Sequence, residues 1–82
     1  MGVETHTGIG GTGVVGIITR GQSSRAIGLR ADIDALPIQE HNQFAHRSEH
    51  DGKFHGCGHD GHTTMLLHAA EALSNSDTFD GT

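Results

Sequence analysis

The sequence has little material from which to build a hydrophobic core. Its 82 residues include no tryptophan, no tyrosine and a single proline, and only 33% of the residues are hydrophobic. A chain of this length buries only about 60% of the surface that its unfolded form exposes. We therefore expect one small domain without a second, either marginally stable or part of a larger folded unit.

Positive charge and long apolar runs are also scarce. Five Lys and Arg residues stand against ten Asp and Glu residues, which gives a formal net charge of -5. This balance offers no basic stripe for phosphates, so nucleic acid is not an expected partner. No window has the 18 apolar residues of a membrane span, and residues 1–6 lack the features of a signal peptide. We expect a soluble, cytoplasmic protein.

Cysteine is represented once and histidine often. The single Cys57 cannot form an internal disulfide, so it is expected to be a free thiol. Histidine provides eight of the 82 residues, and six of these fall between positions 41 and 62. This cluster is the main chemical signal of the sequence.

The first half of the chain predicts a β-hairpin. Residues 7–13 fit the spacing G-x-G-x-x-G, but the β-branched run after them is strand-like, so we expect a flexible loop and no dinucleotide site. Residues 13–20 and 25–33 are two candidate strands separated by the polar turn 21–24, which is the length of a hairpin connection. An antiparallel pair is the simplest interpretation.

Alternation within the second candidate strand predicts which side chains face the core. The apolar face comprises Ile27, Leu29, Ala31 and Ile33. The opposite face comprises Gly28, Arg30, Asp32 and Asp34. Pro37 cannot donate a ladder hydrogen bond and should end this strand.

A long polar loop and one helix follow. Residues 39–59 show no periodicity, which in a compact domain indicates a functional or disordered segment. From Gly61 to about Leu73, apolar residues recur at helical spacing, with Asp60 or Thr63 as the N-cap. Residues 74–82 are polar and resemble a tail or linker. The expected fold is a partial α/β catalytic domain: an antiparallel hairpin, a long ligand loop and one α-helix.

Cys57 and His59 are the candidate metal ligands. They are two residues apart, so in an extended segment their side chains project to the same side. A thiolate and an imidazole together suit zinc and similar divalent ions. Asp60 could either hydrogen-bond a ligating histidine or cap the helix, and the sequence leaves both roles open.

Two motifs in order resemble a known family. Residues 28–38 (GLRADIDALPI) and 55–63 (HGCGHDGHT) resemble the amidohydrolase branch of the M20 metallopeptidases, which includes hippurate hydrolases and auxin-conjugate hydrolases. The likeness also takes in residues 7–16, so it covers nearly the whole chain. It implies that residues 1–82 are the N-terminal part of an M20-type catalytic domain.

The resemblance implies a function and roles for particular residues. Family members use two divalent metal ions (Zn, Mn, Co or Ni) to hydrolyse N-acyl amino acids, and they are often homo-oligomers. Cys57 matches the bridging thiolate ligand, His59 a second ligand, and Asp34 an acidic catalytic residue behind the metals. Asp32 and His62 match the motifs without an assigned role.

Several parts of the family's machinery have no match in this sequence. The family's general base comes from a pair of consecutive glutamates, and no such pair occurs here. Further histidine ligands and a smaller domain are also unmatched, so we expect the 82-residue chain to be inactive alone. Two alternatives remain: a fragment that completes its core against another chain, or a non-catalytic metal-binding module built from the histidine-rich region. That module would use His41, His46, His50, His55, Cys57, His59 and His62.

Overall fold

The computed structural model describes residues 1–82 and contains three regular elements. These are strand β1 (Glu4–Ile9), strand β2 (Gly13–Ile17) and helix α1 (His59–Ser74). The expected partial α/β fold is confirmed, since a hairpin is followed by a long loop and one helix. The chain divides into two compact units, residues 1–29 with 67–82 and residues 30–66, and each is described separately.

Strands β1 and β2 form an antiparallel hairpin in the first unit. Thr5 pairs with Gly16 and Thr7 pairs with Val14, and the register shifts between Thr7 and Ile9. Gly8 is the extra residue at this shift and has φ of 73°, which is the left-handed conformation that glycine adopts at a β-bulge. The glycine-rich segment is therefore a hairpin turn with its flanking strand residues.

The predicted position of the hairpin is wrong. Residues 25–33 contain no strand, and residues 7–9, expected in a flexible loop, belong to β1. Three residues connect β1 to β2, and closing a short loop costs less conformational entropy than closing a long one. The β-branched residues of β1 therefore provide β2 with a nearer partner than residues 25–33.

Residues 80–82 are held by hydrogen bonds to the region around Arg20. The backbones of Arg20 and Gly81 exchange two hydrogen bonds of 2.9 and 2.8 Å. The Asp80 carboxylate accepts hydrogen bonds from the amides of Gln22 and Ser23, both at 2.8 Å. Gly81 is buried. The polar C-terminal segment, whose composition predicts a tail or linker, thus takes part in this unit.

The Arg20 side chain also binds the end of helix α1. Its Nε donates to the Ser76 carbonyl at 3.0 Å, and its Nη2 donates to the Ser74 carbonyl at 2.7 Å. The guanidinium carbon lies 5.9 Å from the centre of the Phe79 ring. The carbonyl of Ser74, the last residue of α1, has no partner within the helix, so a cation here satisfies it and complements the helix dipole, while Ser76 lies just beyond the helix.

The second unit contains a loop closed at its base. Leu36 and Phe54 exchange two backbone hydrogen bonds of 2.7 and 3.0 Å. Inside the loop, the Glu40 carboxylate accepts a hydrogen bond from the Ser48 amide at 3.0 Å. Residues 37–53 therefore form a loop whose two ends are joined by the Leu36–Phe54 pair.

Helix α1 begins two residues before its predicted start and ends one residue beyond its predicted end. The His62 amide donates to the Gly58 carbonyl at 2.9 Å, which makes Gly58 the N-cap residue. Asp60 lies in the first turn, where its negative charge complements the helix dipole, and Thr63 lies one turn further on. The prediction that one of these two residues is the N-cap is wrong.

This helix does not have the length and apolar character needed to cross a membrane.

No hydrophobic side chain is buried in this structure. The accessible surface is 6562 Å², whereas about 4,700 Å² is expected for a folded monomer of this mass. Ile27 is 83% exposed and Leu29 is 61% exposed, so the prediction that they face a core is wrong. Alternation was present in the sequence, but no element covers the apolar side of this segment.

Candidate metal centre

The second unit brings one carboxylate and two imidazoles together. Asp32, His59 and His62 each offer a ligand atom, and these atoms lie within 4.8 Å of one another. Asp32 comes from the segment before the loop, residues 30–35, which has no regular secondary structure, and the histidines occupy the first turn of helix α1. Residues three apart on a helix share a face, so the H-x-x-H spacing presents both rings to the same side.

His59 is oriented by Asp34. Its Nδ1 lies 2.7 Å from Asp34 Oδ1, a distance typical of a charge-assisted hydrogen bond. With Nδ1 donating its proton to the carboxylate, Nε2 is left as the free nitrogen of the ring. The His59 side chain is only 24% exposed, so the bond fixes a ring that packing already restricts. This is the arrangement by which carboxylates orient metal-binding histidines in proteins.

The Asp32 carboxylate lies between two basic side chains, those of Arg30 and His62. Its Oδ2 lies 3.3 Å from Arg30 Nη1, and its Oδ1 lies 3.6 Å from His62 Nδ1. Partial desolvation by itself raises the pKa of the Asp32 carboxyl, but Arg30, His59, the residue's own backbone amide and His62 together outweigh it. The net effect is a pKa below the ordinary aspartate value, so this carboxylate stays ionised to a lower pH than an ordinary aspartate does.

The donor set fits a divalent metal ion. Two imidazoles and one carboxylate form the protein ligand set of many catalytic zinc sites, in which a fourth position is open to water. With metal-to-ligand distances of about 2.0–2.2 Å, two ligand atoms of one ion lie at most about 4.4 Å apart. The observed group, within 4.8 Å, needs only small side-chain rotations to reach such a geometry.

The predicted ligand Cys57 lies outside this group. Its thiol is free and exposed, two residues before the start of helix α1. No second group of three or more His, Cys, Asp or Glu ligand atoms forms, so the loop histidines 41, 46, 50 and 55 are not assembled around a common point. The roles of Cys57 and His59 as metal ligands, and of Asp34 in catalysis, stay predictions.

Two members of the group were not assigned a role from the sequence. Asp32 and His62 matched the motifs, but only His59 and Cys57 were proposed as ligands. The available signals were two periodicities: a spacing of two places Asp32 and Asp34 on one face of an extended segment, and a spacing of three places His59 and His62 on one face of a helix. The sequence prediction put His59 in an extended segment together with Cys57. The helical spacing of His59 and His62 was therefore not used.

A carboxylate opposed to two helix-borne imidazoles, one of them oriented by a further carboxylate, is a candidate centre for a metal-dependent enzyme. Comparison with known proteins identifies the family. The chain belongs to peptidase family M20/M25/M40, whose sequence model matches residues 28–82. The resemblance inferred from the two motifs is thereby confirmed.

Curated relatives carry names of the same kind. Hippurate hydrolase of Campylobacter jejuni is 51% identical over 81 residues, covering 99% of this chain and 21% of that protein. IAA-amino acid hydrolase ILR1-like 5 of Arabidopsis thaliana is 51% identical over 73 residues, covering 89% and 17%. N-acyl-L-amino acid amidohydrolase of Geobacillus stearothermophilus is 49% identical over 63 residues, covering 77% and 17%. The chain spans about a fifth of these relatives' lengths. No solved structure shows a significant match to the chain.

Proposed function

We propose that this chain supplies part of the metal site of an amidohydrolase that cleaves the amide bond of N-acyl amino acids. The observation that carries the proposal is the grouping of Asp32, His59 and His62 within 4.8 Å in a chain of the M20/M25/M40 family. The names of the relatives, among them hippurate hydrolase and N-acyl-L-amino acid amidohydrolase, support the substrate class.

Each residue of the centre has a distinct task in this proposal. Asp32, His59 and His62 hold a divalent ion, for which Zn, Mn, Co and Ni are all suitable with such ligands. Asp34 fixes the His59 ring through its bond to Nδ1, which would leave Nε2 free to bind the ion. Cys57 is proposed as a further, thiolate ligand. The chemistry that such an ion supplies is polarisation of the amide carbonyl and activation of a water molecule.

The 82-residue chain by itself is proposed to bind metal without turnover. It contains no pair of consecutive glutamates of the kind that the family resemblance assigns to the general base. A general base must lie within hydrogen-bond reach of the proton that it removes, and Asp34 is already engaged with His59. The cytoplasmic location and the homo-oligomeric state of a whole protein stay predictions.

A titration with divalent metal ions tests the proposal. Calorimetry on the 82-residue chain compares the wild type with His59→Ala and with His68→Ala, which replaces the third histidine of helix α1, outside the group. His59→Ala is expected to weaken affinity by more than the roughly 10–100-fold that removal of an outer partner costs. His68→Ala is expected to bind like the wild type.

The same samples are assayed for hydrolysis of hippurate, with no turnover expected. Equal affinities for His59→Ala and His68→Ala would remove the basis for a metal site at this position. Affinity that persisted in His59→Ala but fell when the loop histidines at 41, 46, 50 and 55 were replaced would favour the non-catalytic histidine-rich module instead.

A further inference from the structure

One hydroxyl joins the two segments that form the candidate centre. Thr63 Oγ1 lies 3.0 Å from the backbone carbonyl of Asp32 and 3.0 Å from the backbone carbonyl of His59. A threonine hydroxyl has a single hydrogen, so this donor is shared between, or alternates between, the two carbonyls. Thr63 is half-buried, which limits competition from water.

Only one of these two bonds is explained by the helix. Ser and Thr in helices commonly donate to the carbonyl four residues earlier, which accounts for the bond to His59. The bond to Asp32 spans 31 residues of sequence and connects the helix to the irregular segment that precedes the loop. The other polar contacts between these segments, His59 with Asp34 and His62 with Asp32, use the histidine rings of the centre.

We propose that Thr63 is a positioning residue that sets the distance between Asp32 and the two histidines before a divalent cation binds. Its hydroxyl holds the Asp32 backbone against the helix turn that carries His59 and His62, without using a ligand atom. The three donors are thereby brought together in the metal-free chain. This inference rests on the proposed function, because it assumes that the group binds a divalent cation.

The next residue of the helix provides a matched control. Thr64 Oγ1 donates to the Asp60 carbonyl at 2.8 Å, the same four-residue bond that Thr63 makes to His59. Thr64 is exposed, and its hydroxyl makes no other hydrogen bond. Replacing either threonine by valine removes a hydroxyl and a bond within the helix, but only Thr63→Val removes the bond to Asp32.

The test compares Thr63→Val, Thr63→Ser and Thr64→Val with the wild-type 82-residue chain. Zinc affinity is measured by calorimetry, and helix content is measured by circular dichroism without metal. Thr63→Val is expected to weaken zinc binding about fivefold, which corresponds to about 1 kcal/mol and to the loss of one neutral hydrogen bond. Thr63→Ser and Thr64→Val should stay within about twofold of the wild type, since each keeps the bond to Asp32. Helix content should be similar in Thr63→Val and Thr64→Val.

A second readout needs no metal. Nuclear Overhauser contacts between the side chains of Asp32 and His62 should be present in the metal-free wild type, Thr63→Ser and Thr64→Val, and weakened in Thr63→Val. Equal zinc affinities for the two valine variants, or an additional loss of helix in Thr63→Val, would overturn the positioning role. If instead His59→Ala binds zinc as well as the wild type, the proposed metal site itself fails, whatever the Thr63 variants show.

Discussion

Replacing Asp34 by asparagine isolates the electrostatic contribution of the carboxylate behind His59. Asparagine keeps an oxygen able to accept the Nδ1 proton but carries no charge. The wild-type bond is short, 2.7 Å between Nδ1 and Oδ1. The perturbation therefore leaves the shape of the site intact and weakens the bond that selects the ring tautomer and holds the ring in place.

The exposure of the Asp34 side chain sets the expected loss of metal affinity in Asp34→Asn. Loss of an outer carboxylate partner typically costs 10–100-fold in metal affinity. The Asp34 side chain is 74% exposed, so solvent and salt screen much of its charge. We therefore expect the lower end of this range for Asp34→Asn, about tenfold or about 1.4 kcal/mol. Asp34→Ala, which removes the acceptor as well, should lose more.

Zinc titration calorimetry at about 0.15 M salt measures this difference. Asp77→Asn is the matched control, because Asp77 is exposed, makes no ion pair and changes the net charge by the same amount. If Asp34→Asn and Asp77→Asn weaken binding equally, the effect is one of net charge, and the reasoning about the His59 ring is refuted.

Three further outcomes are expected. Cys57→Ser should weaken zinc binding by removing a thiolate, whereas His6→Ala should leave it unchanged; equal losses in a titration would contradict the assignment. Arg20→Gln should lower amide-exchange protection at the end of helix α1 by about 2 kcal/mol, since charged hydrogen bonds to the carbonyls of Ser74, the last helix residue, and of Ser76 just beyond it are lost. In the metal-free chain, carbon-detected NMR should show the pKa of Asp32 below the ordinary aspartate value. Because the folded-state pKa of Asp32 is depressed, its stabilising contribution is complete above the ordinary aspartate pKa and is lost as pH falls through the lowered value. A pKa of Asp32 at or above the ordinary aspartate value would contradict this.

The sequence predicted the helix better than the strands, for physical reasons. Apolar residues at three- and four-residue steps specify a helix locally, and the structure has it within two residues of the predicted start. Strands need partners, and the alternation of residues 25–33 did not reveal whether a partner was available. Residues 4–9 provided one for β2 at a shorter distance along the chain.

The candidate site was predicted in part. Alternation correctly placed Asp32 and Asp34 on one face, and the motif drew attention to His59. The contact between these aspartates and the first turn of helix α1 depends on tertiary structure. Neither the two-residue spacing of the aspartates nor the three-residue spacing of the histidines predicts it. The hydroxyl of Thr63 was considered only as a cap, because local spacing cannot show a hydrogen bond to a carbonyl 31 residues earlier.

The pairing of residues 80–82 with the region around Arg20 affects the order in which this unit can fold. The Asp80 carboxylate and its amide partner at Gln22 are 58 residues apart in sequence, and the Arg20 side chain reaches a carbonyl 56 residues away. Residues are synthesised from the N-terminus, so the region around Arg20 has no partner until residues 80–82 have been synthesised. Contacts between residues so far apart in sequence slow folding, and a chain that folds slowly is open for longer to misassembly or chaperone capture.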